Sequence, residues 1–347
     1  NKDEFASKKS LDYWKEVDLY IGGSEHATGH LLYSRFWQYF LYDLGLVPVK
    51  DYAKKLINQG MILGNSAFVY RLNGTNTYIS KELINRQHVQ LIHVDIRYVN
   101  SNDELDLESL RKWQPQFKEA KFEFENDKFF VKREVEKMSK SKYNVVSPDE
   151  ICEKYGADTL RLYEMFLGPI DQAKPWNTAG ITGTFSFLKK FWNLFHENEN
   201  FNVVIDKPSS ESLKILHKTI KKVNKDIENF SFNTSVSAFM ICVNSLSAIK
   251  CNNRSVLESL TVLLSPFAPH ICEEIWSKLG HKETISFVKY PEYNSDYIKE
   301  DNIEYPVSFN GKLKFKLIQE SSLVIDQIKQ NVISDQRTNN FLDGREI

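Results

Sequence analysis

From Asp18 to Gly23 the chain alternates, with Leu19 and Ile21 on one side, and it ends on Gly22-Gly23. Apolar residues two apart share one face of a strand, and paired glycines mark the turn that ends it. Helical periodicity follows from Glu25 to Leu44, so the opening pattern predicts strand, glycine turn and helix. In open α/β sheets ligands sit at such a junction, beyond the carboxyl end of a strand, where glycines let a ligand approach the backbone. Residues 65–128 differ: Phe68-Val69-Tyr70 and Val89 to Val99 read as strands beside the polar run Asn100-Ser101-Asn102-Asp103-Glu104, which predicts a β-rich insertion. Phe129 to Val135 alternates again as a strand, and Ser147-Pro148-Asp149-Glu150 predicts a capping box with proline at the first helical position. What lies between is a loop joining strand to helix.

From Phe185 to about Leu279 the pattern is helical throughout, broken at Ser265-Pro266-Phe267-Ala268-Pro269, after which Ile271, Ile275 and Leu279 line one face. The chain is thus α/β first and all-α afterwards. Beyond Pro291 it turns β again: Val307 and Phe309 lead through Asn310-Gly311 into Leu313, Phe315 and Leu317, a hairpin signal, with a helix expected near Leu323 to Val332. No internal repeat or low-complexity tract interrupts this order.

With 347 residues, 41% hydrophobic and 26% charged, the composition suits two or three domains with cores of their own. A formal net charge of -1 argues against a uniformly basic coat, although lysines can still gather on one face. Cys152, Cys242, Cys251 and Cys272 form no Cys-x-x-Cys pair and have no histidine at metal-ligand spacing, so neither a disulfide framework nor a zinc knuckle is expected. A reducing cytoplasm fits that usage. No apolar stretch reaches the roughly 20 residues of a membrane span, and the polar start Asn1-Lys2-Asp3-Glu4 is not a signal peptide, so no membrane partner is expected. Beginning at Asn1 and stopping at Arg345-Glu346-Ile347 just after a glycine turn, the chain reads as part of a longer one.

Three groups of residues offer chemistry. Lys137, Lys140 and Lys142, with Ser139 and Ser141, place mobile positive charge and hydroxyl donors in the strand-to-helix loop, as a polyphosphate requires; the alternative is a solvated charge run. In Gly22-Gly23-Ser24-Glu25-His26-Ala27-Thr28-Gly29-His30, His26 and His30 are four apart and share a helix face. Those histidines could bind a metal, sit satisfied in a core, or line a binding site. The order Glu-His, with no third ligand in view, disfavours the metal. Lys214, Lys218, Lys221, Lys222 and Lys225 fall along one face of a helix, either simply solvated or tracking the phosphates of an RNA.

Lys137-Met138-Ser139-Lys140-Ser141, followed by Asn144, Ser147-Pro148-Asp149 and Tyr155-Gly156-Ala157-Asp158-Thr159-Leu160-Arg161, resembles the ATP-loop signature of class I aminoacyl-tRNA synthetases. Asp18 to Leu44, with Leu31-Leu32-Tyr33-Ser34-Arg35-Phe36-Trp37, is similar to the leucyl branch of that family; the isoleucyl and valyl branches carry a different Gly-x-Asp-x-His pattern there. Phe232-Asn233-Thr234 and the run from Leu263 to Trp276 resemble the anticodon-binding bundle of the Leu/Ile/Val/Met subgroup.

The resemblance implies the second half of a Rossmann-like catalytic domain (1–64), a β-rich insertion (65–128), the loop and connecting helices (129–184), an anticodon-binding helical bundle (185–290) and a truncated small α+β tRNA-binding domain (291–347). It implies catalytic roles for Lys137 and Lys140. Gly22, Gly23, Glu25, His26, Met138, Ser139, Lys140 and Ser141 would contact ATP, and His26 and His30 leucine. The five lysines would contact tRNA, whereas Pro269, His270 and Trp276 belong to the core and the kink. The implied activity joins leucine to tRNA(Leu) through an adenylate, with ATP and Mg²⁺, in a cytoplasmic, monomeric enzyme that binds no DNA and holds no resident metal. Rival readings are an isoleucyl or valyl relative, a tRNA-binding remnant without catalysis, and a nucleotidyltransferase sharing only the catalytic fold. The family's His-x-Gly-His motif, its ligand for the amino-acid ammonium and its editing domain are not in these residues, so the 347 residues alone are expected to be inactive.

Overall fold

Ser7 accepts a hydrogen bond from the Ser10 N–H and opens helix α1 (Lys8–Trp14). The computed structural model describes residues 2–84, 88–124, 126–299 and 302–342; Asn1 and 343–347, on which the expectation of a longer chain rests, lie outside the described residues. Strand β1 (Tyr20–Gly23) leads through a turn into α2 (Leu32–Asp43), which returns the chain to β2 (Leu56–Gln59). The two strands are parallel, Tyr20 opposite Leu56 and Gly23 opposite Gln59. Parallel neighbours need such a crossover, and α2 supplies it. The predicted helix from Glu25 does not begin there: Ser24–His26 is a 3₁₀ turn and Ala27–Leu31 a π turn. Wider π hydrogen bonding interrupts the 3.6-residue spacing, so His26 and His30 do not share an α-helical face.

Residues 62–137 build five strands of one six-stranded sheet around the long strand β3 (Ile62–Leu72). β4 (Thr77–Ile79) and β5 (Val89–Val94) pair antiparallel with it, then α3 (Leu107–Trp113) and α4 (Pro115–Lys118) cover one face before β6 (Lys121–Glu123) joins β4. Asp106 caps α3 by accepting from the Glu108 and Ser109 N–H groups, each at 3.1 Å. The expected β character of 65–128 therefore comes with two helices. β7 (Lys132–Lys137) pairs antiparallel with β3, Leu63 opposite Lys137 and Gly64 opposite Glu136, so the strand that delivers the lysine loop shares its sheet with 62–94.

Side chains alternate across a strand, and the two faces of this sheet have different uses. Ala67, Val69, Val94 and Val131 face a core with Tyr78, Leu110, Phe117 and Phe129. Gly64, Ser66 and Phe68 lie on the other face, with Glu136 and His93 opposite Gly64 and Phe68.

The loop enters α5 (Pro148–Tyr155), with Pro148 at the first helical position as predicted. The capping box is not formed: the Ser147 side chain makes no cap hydrogen bond. Asp149 and Glu150 in the first turn supply negative charge to the positive helix end instead. After α6 (Ala157–Phe166), β8 (Lys174–Pro175) adds to β3. The bundle comprises α7 (Ile181–Asn193), α8 (Ser210–Glu228), α9 (Phe232–Ala248), α10 (Arg254–Leu264) and α11 (Pro269–Lys278). Its core includes Phe187, Phe191, Leu216, Ile220, Phe239, Leu246, Leu260 and Ile275, and Leu162 of α6 is buried in it too. Between α7 and α8 a short hairpin, β9 (His196–Glu197) and β10 (Asn200–Phe201), interrupts the helical run expected there.

Beyond the bundle, β11 (Asn302–Phe309) and β12 (Lys312–Glu320) form the expected hairpin, turning at Asn310 (φ 51°) and Gly311 (φ 75°). Positive φ at both central residues is the turn that Asn-Gly favours. Helices α12 (Ile325–Ser334) and α13 (Gln336–Leu342) close the described chain. No helix among the described residues is long and apolar enough to cross a membrane.

Candidate active site

The strand-to-helix junction after β1 and the lysine loop after β7, more than a hundred residues apart in sequence, meet in one cleft. Gly23 and Glu25 line it from one side, Gln59 to Ile62 form its floor, and Lys137 and Met138 close it, around a volume of about 260 Å³. A carboxylate and an ammonium thus face one space at the carboxyl ends of β1 and β2, where α/β folds bind ligands. Ser139, Lys140 and Ser141 continue the loop from Met138, and Lys140 lines a larger cavity of about 580 Å³ with Asp95, Arg97, Glu150 and Lys154.

Buried Asn144 shapes the loop from inside. Its Oδ1 accepts from the Ser139 N–H at 2.9 Å, while its Nδ2 donates to Ser66 Oγ at 2.9 Å and to the Lys137 carbonyl at 3.3 Å. Ser139 and Ser141 share a hydroxyl hydrogen bond of 2.7 Å, and the Lys140–Lys142 turn ends on Tyr143 in the left-handed region, φ 52°. Trp113 packs edge-on against Tyr143 at 4.6 Å, and the Tyr143 carbonyl accepts from the Ile96 N–H at 3.2 Å. Gly64 lies directly beneath: a Cβ there would sit 2.4 Å from the Asn144 carbonyl oxygen and 3.0 Å from Met138 Cγ.

The three loop lysines are treated differently. Lys142 Nζ donates to Glu136 Oε1 at 2.8 Å, and Glu136 Oε2 meets His93 Nε2 at 3.0 Å. Hydrogen bonds from Lys142, Ser66 and His93 hold the Glu136 carboxyl at about 2. Among the described residues Lys137 and Lys140 have no ion-pair partner. Neither Glu136, His93 nor Ser66 stands out in the sequence, because each is one polar residue in an alternating strand.

His26 is exposed beside Glu25, 4.0 Å from its carboxylate. His30 instead turns to Tyr20 of β1: its Nε2 hydrogen-bonds the Tyr20 hydroxyl, and the rings stack at 5.8 Å. Tyr52 meets Tyr20 edge-on at 5.3 Å and accepts from Ser34 Oγ at 3.0 Å, so a tyrosine that sequence reasoning passed over, Tyr20, engages His30 and is itself backed by a second, Tyr52. Gly22 lies on β1 beside Gly23. No group of three His, Cys, Asp or Glu that could hold a metal occurs among the described residues.

On α8, Lys218, Lys221, Lys222 and Lys225 are exposed and Lys214 is half-buried. At 100° per residue Lys214, Lys218, Lys221 and Lys225 cluster on one face, with Lys222 at its edge. Lys222 is drawn toward buried Asp226, 2.5 Å away, and Thr234; Lys221 lies over the Tyr293 ring at 5.4 Å. A second long-range link ties α6 to the start of α11. Asp158 of α6, buried, accepts from the His270 N–H (3.2 Å), the Ile271 N–H (2.7 Å) and His270 Nδ1 (2.8 Å) at the start of α11, and Arg161 donates to the Pro266 carbonyl at 2.9 Å. His270 is therefore a docking residue at the helix junction, Pro269 opens α11, and Trp276 is buried.

Residues 126–176, which contain the lysine loop, match the family model described as tRNA synthetases class I (I, L, M and V), and residues 210–333 match the anticodon-binding domain of tRNA ligase. A leucine–tRNA ligase of Christiangramia forsetii is 61% identical over 345 residues, 99% of this chain and 36% of that protein. Nearly the whole chain is thus similar to part of a leucine–tRNA ligase. Within the leucine–tRNA ligases, that of Flavobacterium johnsoniae is 60% identical over 99% of this chain and 36% of its own length. A solved ternary complex, Agrobacterium radiobacter K84 LeuRS with tRNA and LeuAMS, superposes with a TM-score of 0.64 at 26% identity, covering 95% of this chain and 36% of that one. The chain thus spans 36% of the length of these leucine–tRNA ligases. Its fold is part of a class I catalytic domain joined to an anticodon-binding domain.

Proposed function

We propose that these residues serve ATP-dependent attachment of leucine to tRNA(Leu), through leucyl-adenylate, as part of a complete leucine–tRNA ligase. The observation that carries the reading is the cleft in which Gly23 and Glu25 face Lys137 and Met138. Nucleotidyl transfer is governed by positioning and by charge aimed at the phosphates, and Lys137 and Lys140, without an ion-pair partner among the described residues, supply that charge. Lys137 and Lys140 act on the phosphates, with Ser139, Ser141 and the Met138 backbone along the nucleotide. Gly22, Gly23, Glu25 and His26 meet the adenosine, and His26 and His30 border leucine. Mg²⁺ arrives with ATP on its phosphates. Lys214, Lys218, Lys221, Lys222 and Lys225 face tRNA from the bundle, and the hairpin with α12 and α13 belongs to a further tRNA-binding module. The enzyme works as a cytoplasmic monomer.

On this reading the 347 residues do not charge tRNA alone. In support, α2 leaves Leu32, Tyr33, Phe36 and Trp37 between 55% and 71% exposed beside the cleft, an apolar face that further chain would cover. An apolar pocket separates substrates that differ by one methylene by only about 1–3 kcal/mol, so accuracy also needs a hydrolytic sieve elsewhere in the enzyme. The test is ATP–pyrophosphate exchange by the complete ligase. Exchange driven by leucine and not by isoleucine or valine supports the reading; exchange driven equally by valine or isoleucine, or none with any of them, overturns it.

A further inference from the structure

We propose that Glu136 is a positioning residue for the lysine loop: its carboxylate pins Lys142, braced by His93 and Ser66, so that Lys137 and Lys140 stay free for the substrate. The catalytic part of this inference rests on the function proposed above; the physical clamp does not.

Among the described residues the geometry divides the loop's lysines into one anchor and two charges without an ion-pair partner. Glu136 is the penultimate residue of β7, opposite Gly64 on the central strand, and so is held in place by the sheet. Lys142 lies on the loop itself, in the 3₁₀ turn that also contains Lys140. A bond of 2.8 Å between them therefore ties the turn to the sheet. An isolated surface pair would hold little, but this one is built differently. Glu136 is 22% exposed, and its other oxygen is occupied by His93, whose ring packs against buried Phe68 at 4.3 Å. On the inner side, Asn144 holds the same turn through Ser139 and joins the same Ser66. Strand β3 thus carries Ser66 and Phe68 as the base of two anchors, one through Asn144 and one through Glu136.

Charge bookkeeping points the same way. Unpaired Glu136 would offer its negative charge next to a site that must receive polyphosphate; saturated by Lys142 and His93, it does not. The clamp costs the site one of its three lysines and leaves the other two without a carboxylate partner among the described residues.

The deciding experiment measures amide hydrogen exchange at Ser139, Lys142 and Tyr143, whose N–H groups all bond within the loop. Wild type is compared with Glu136→Gln, Lys142→Met and the double variant. Each single variant should exchange at least fivefold faster, and the double variant no faster than the singles, because both remove one interaction. Unchanged rates, or effects that multiply, overturn the clamp whatever the enzyme's activity. In the complete ligase, Glu136→Gln should lower kcat for pyrophosphate exchange about tenfold, with the leucine KM unchanged, at a temperature where both proteins are fully folded. A kcat within twofold of wild type, or a loss accounted for by the fraction of protein unfolded, overturns the positioning role. Absence of exchange in wild type counts against the proposed function alone, and the hydrogen-exchange comparison still decides the clamp.

Discussion

Replacing Asp158 by alanine should loosen the docking of α6 against the start of α11. The first turn of α11 leaves N–H groups that no carbonyl of its own helix reaches. Pro269 has none to offer, Cys272 donates to the Ala268 carbonyl at 3.3 Å, and the His270 and Ile271 groups between them both end on Asp158. Its carboxylate is thus a cap supplied by another helix, and negative charge there also meets the positive end of the helix dipole. Loss of a cap costs about 0.5–2 kcal/mol, and a buried donor left without a partner costs about 1–3 kcal/mol. Some of that overlaps, so Asp158→Ala should destabilise the chain by about 2–4 kcal/mol. Asp158→Asn, which keeps an acceptor oxygen but loses the charge, should cost about half as much. Trp276, buried on α11, reports the transition, so urea unfolding followed by tryptophan fluorescence measures both variants. A value for Asp158→Ala within 0.5 kcal/mol of wild type, the usual range of a neutral surface change, would refute the capping role.

Gly64→Ala should strain the loop from below, since the new Cβ meets the Asn144 carbonyl, which is backbone and cannot swing aside. A cost of about 1–3 kcal/mol is expected in thermal unfolding, and an unchanged midpoint contradicts the close approach. The Glu136 carboxyl, held at about 2 against an ordinary 4.5, is depressed by folding, so its stabilising effect is complete above about pH 4.5 and disappears as pH falls toward 2. The stability gap between wild type and Glu136→Gln should follow that curve; a gap that stays constant as pH falls from 6 to 3 speaks against the network. Lys214→Ala with Lys225→Ala should weaken tRNA binding and reduce the slope of log K against log salt by about one for each lysine in contact, whereas an unaltered slope leaves these two lysines as a solvated face.

Local features were legible in the sequence and long-range pairings were not. Asn310-Gly311 declared its turn because only a few residues accept positive φ twice in succession, and the alternation on either side set the strands. The alternation ending on Gly22-Gly23 likewise marked β1, whose last residue Gly23 lines one side of the cleft. The helix after them was misread at its first two turns, since periodicity cannot separate α from 3₁₀ and π hydrogen bonding over eight residues. A hairpin of two-residue strands, turning at Asn198 and Glu199, hid inside a helical run for want of length.

For the site, the motif from Lys137 to Ser141 named the cationic loop, and nothing local named its supports. Ser66 and Asn144 are 78 positions apart, His93 and Glu136 are 43, and Asp158 and His270 are 112. Each is an unremarkable polar residue until the sheet and the bundle bring its partner near. His30 shows the converse: the sequence singled it out, but the Tyr20 that engages it lies on the preceding strand and carries no motif.

The most direct test of the whole reading is leucine-dependent pyrophosphate exchange by the complete ligase carrying Lys140→Ala. Removing one donor to developing charge typically costs about 2.7–4 kcal/mol, so exchange should fall by roughly 100-fold or more while the protein remains folded. A loss of less than about threefold would mean that the lysine loop does not act on the phosphates, contradicting the central claim.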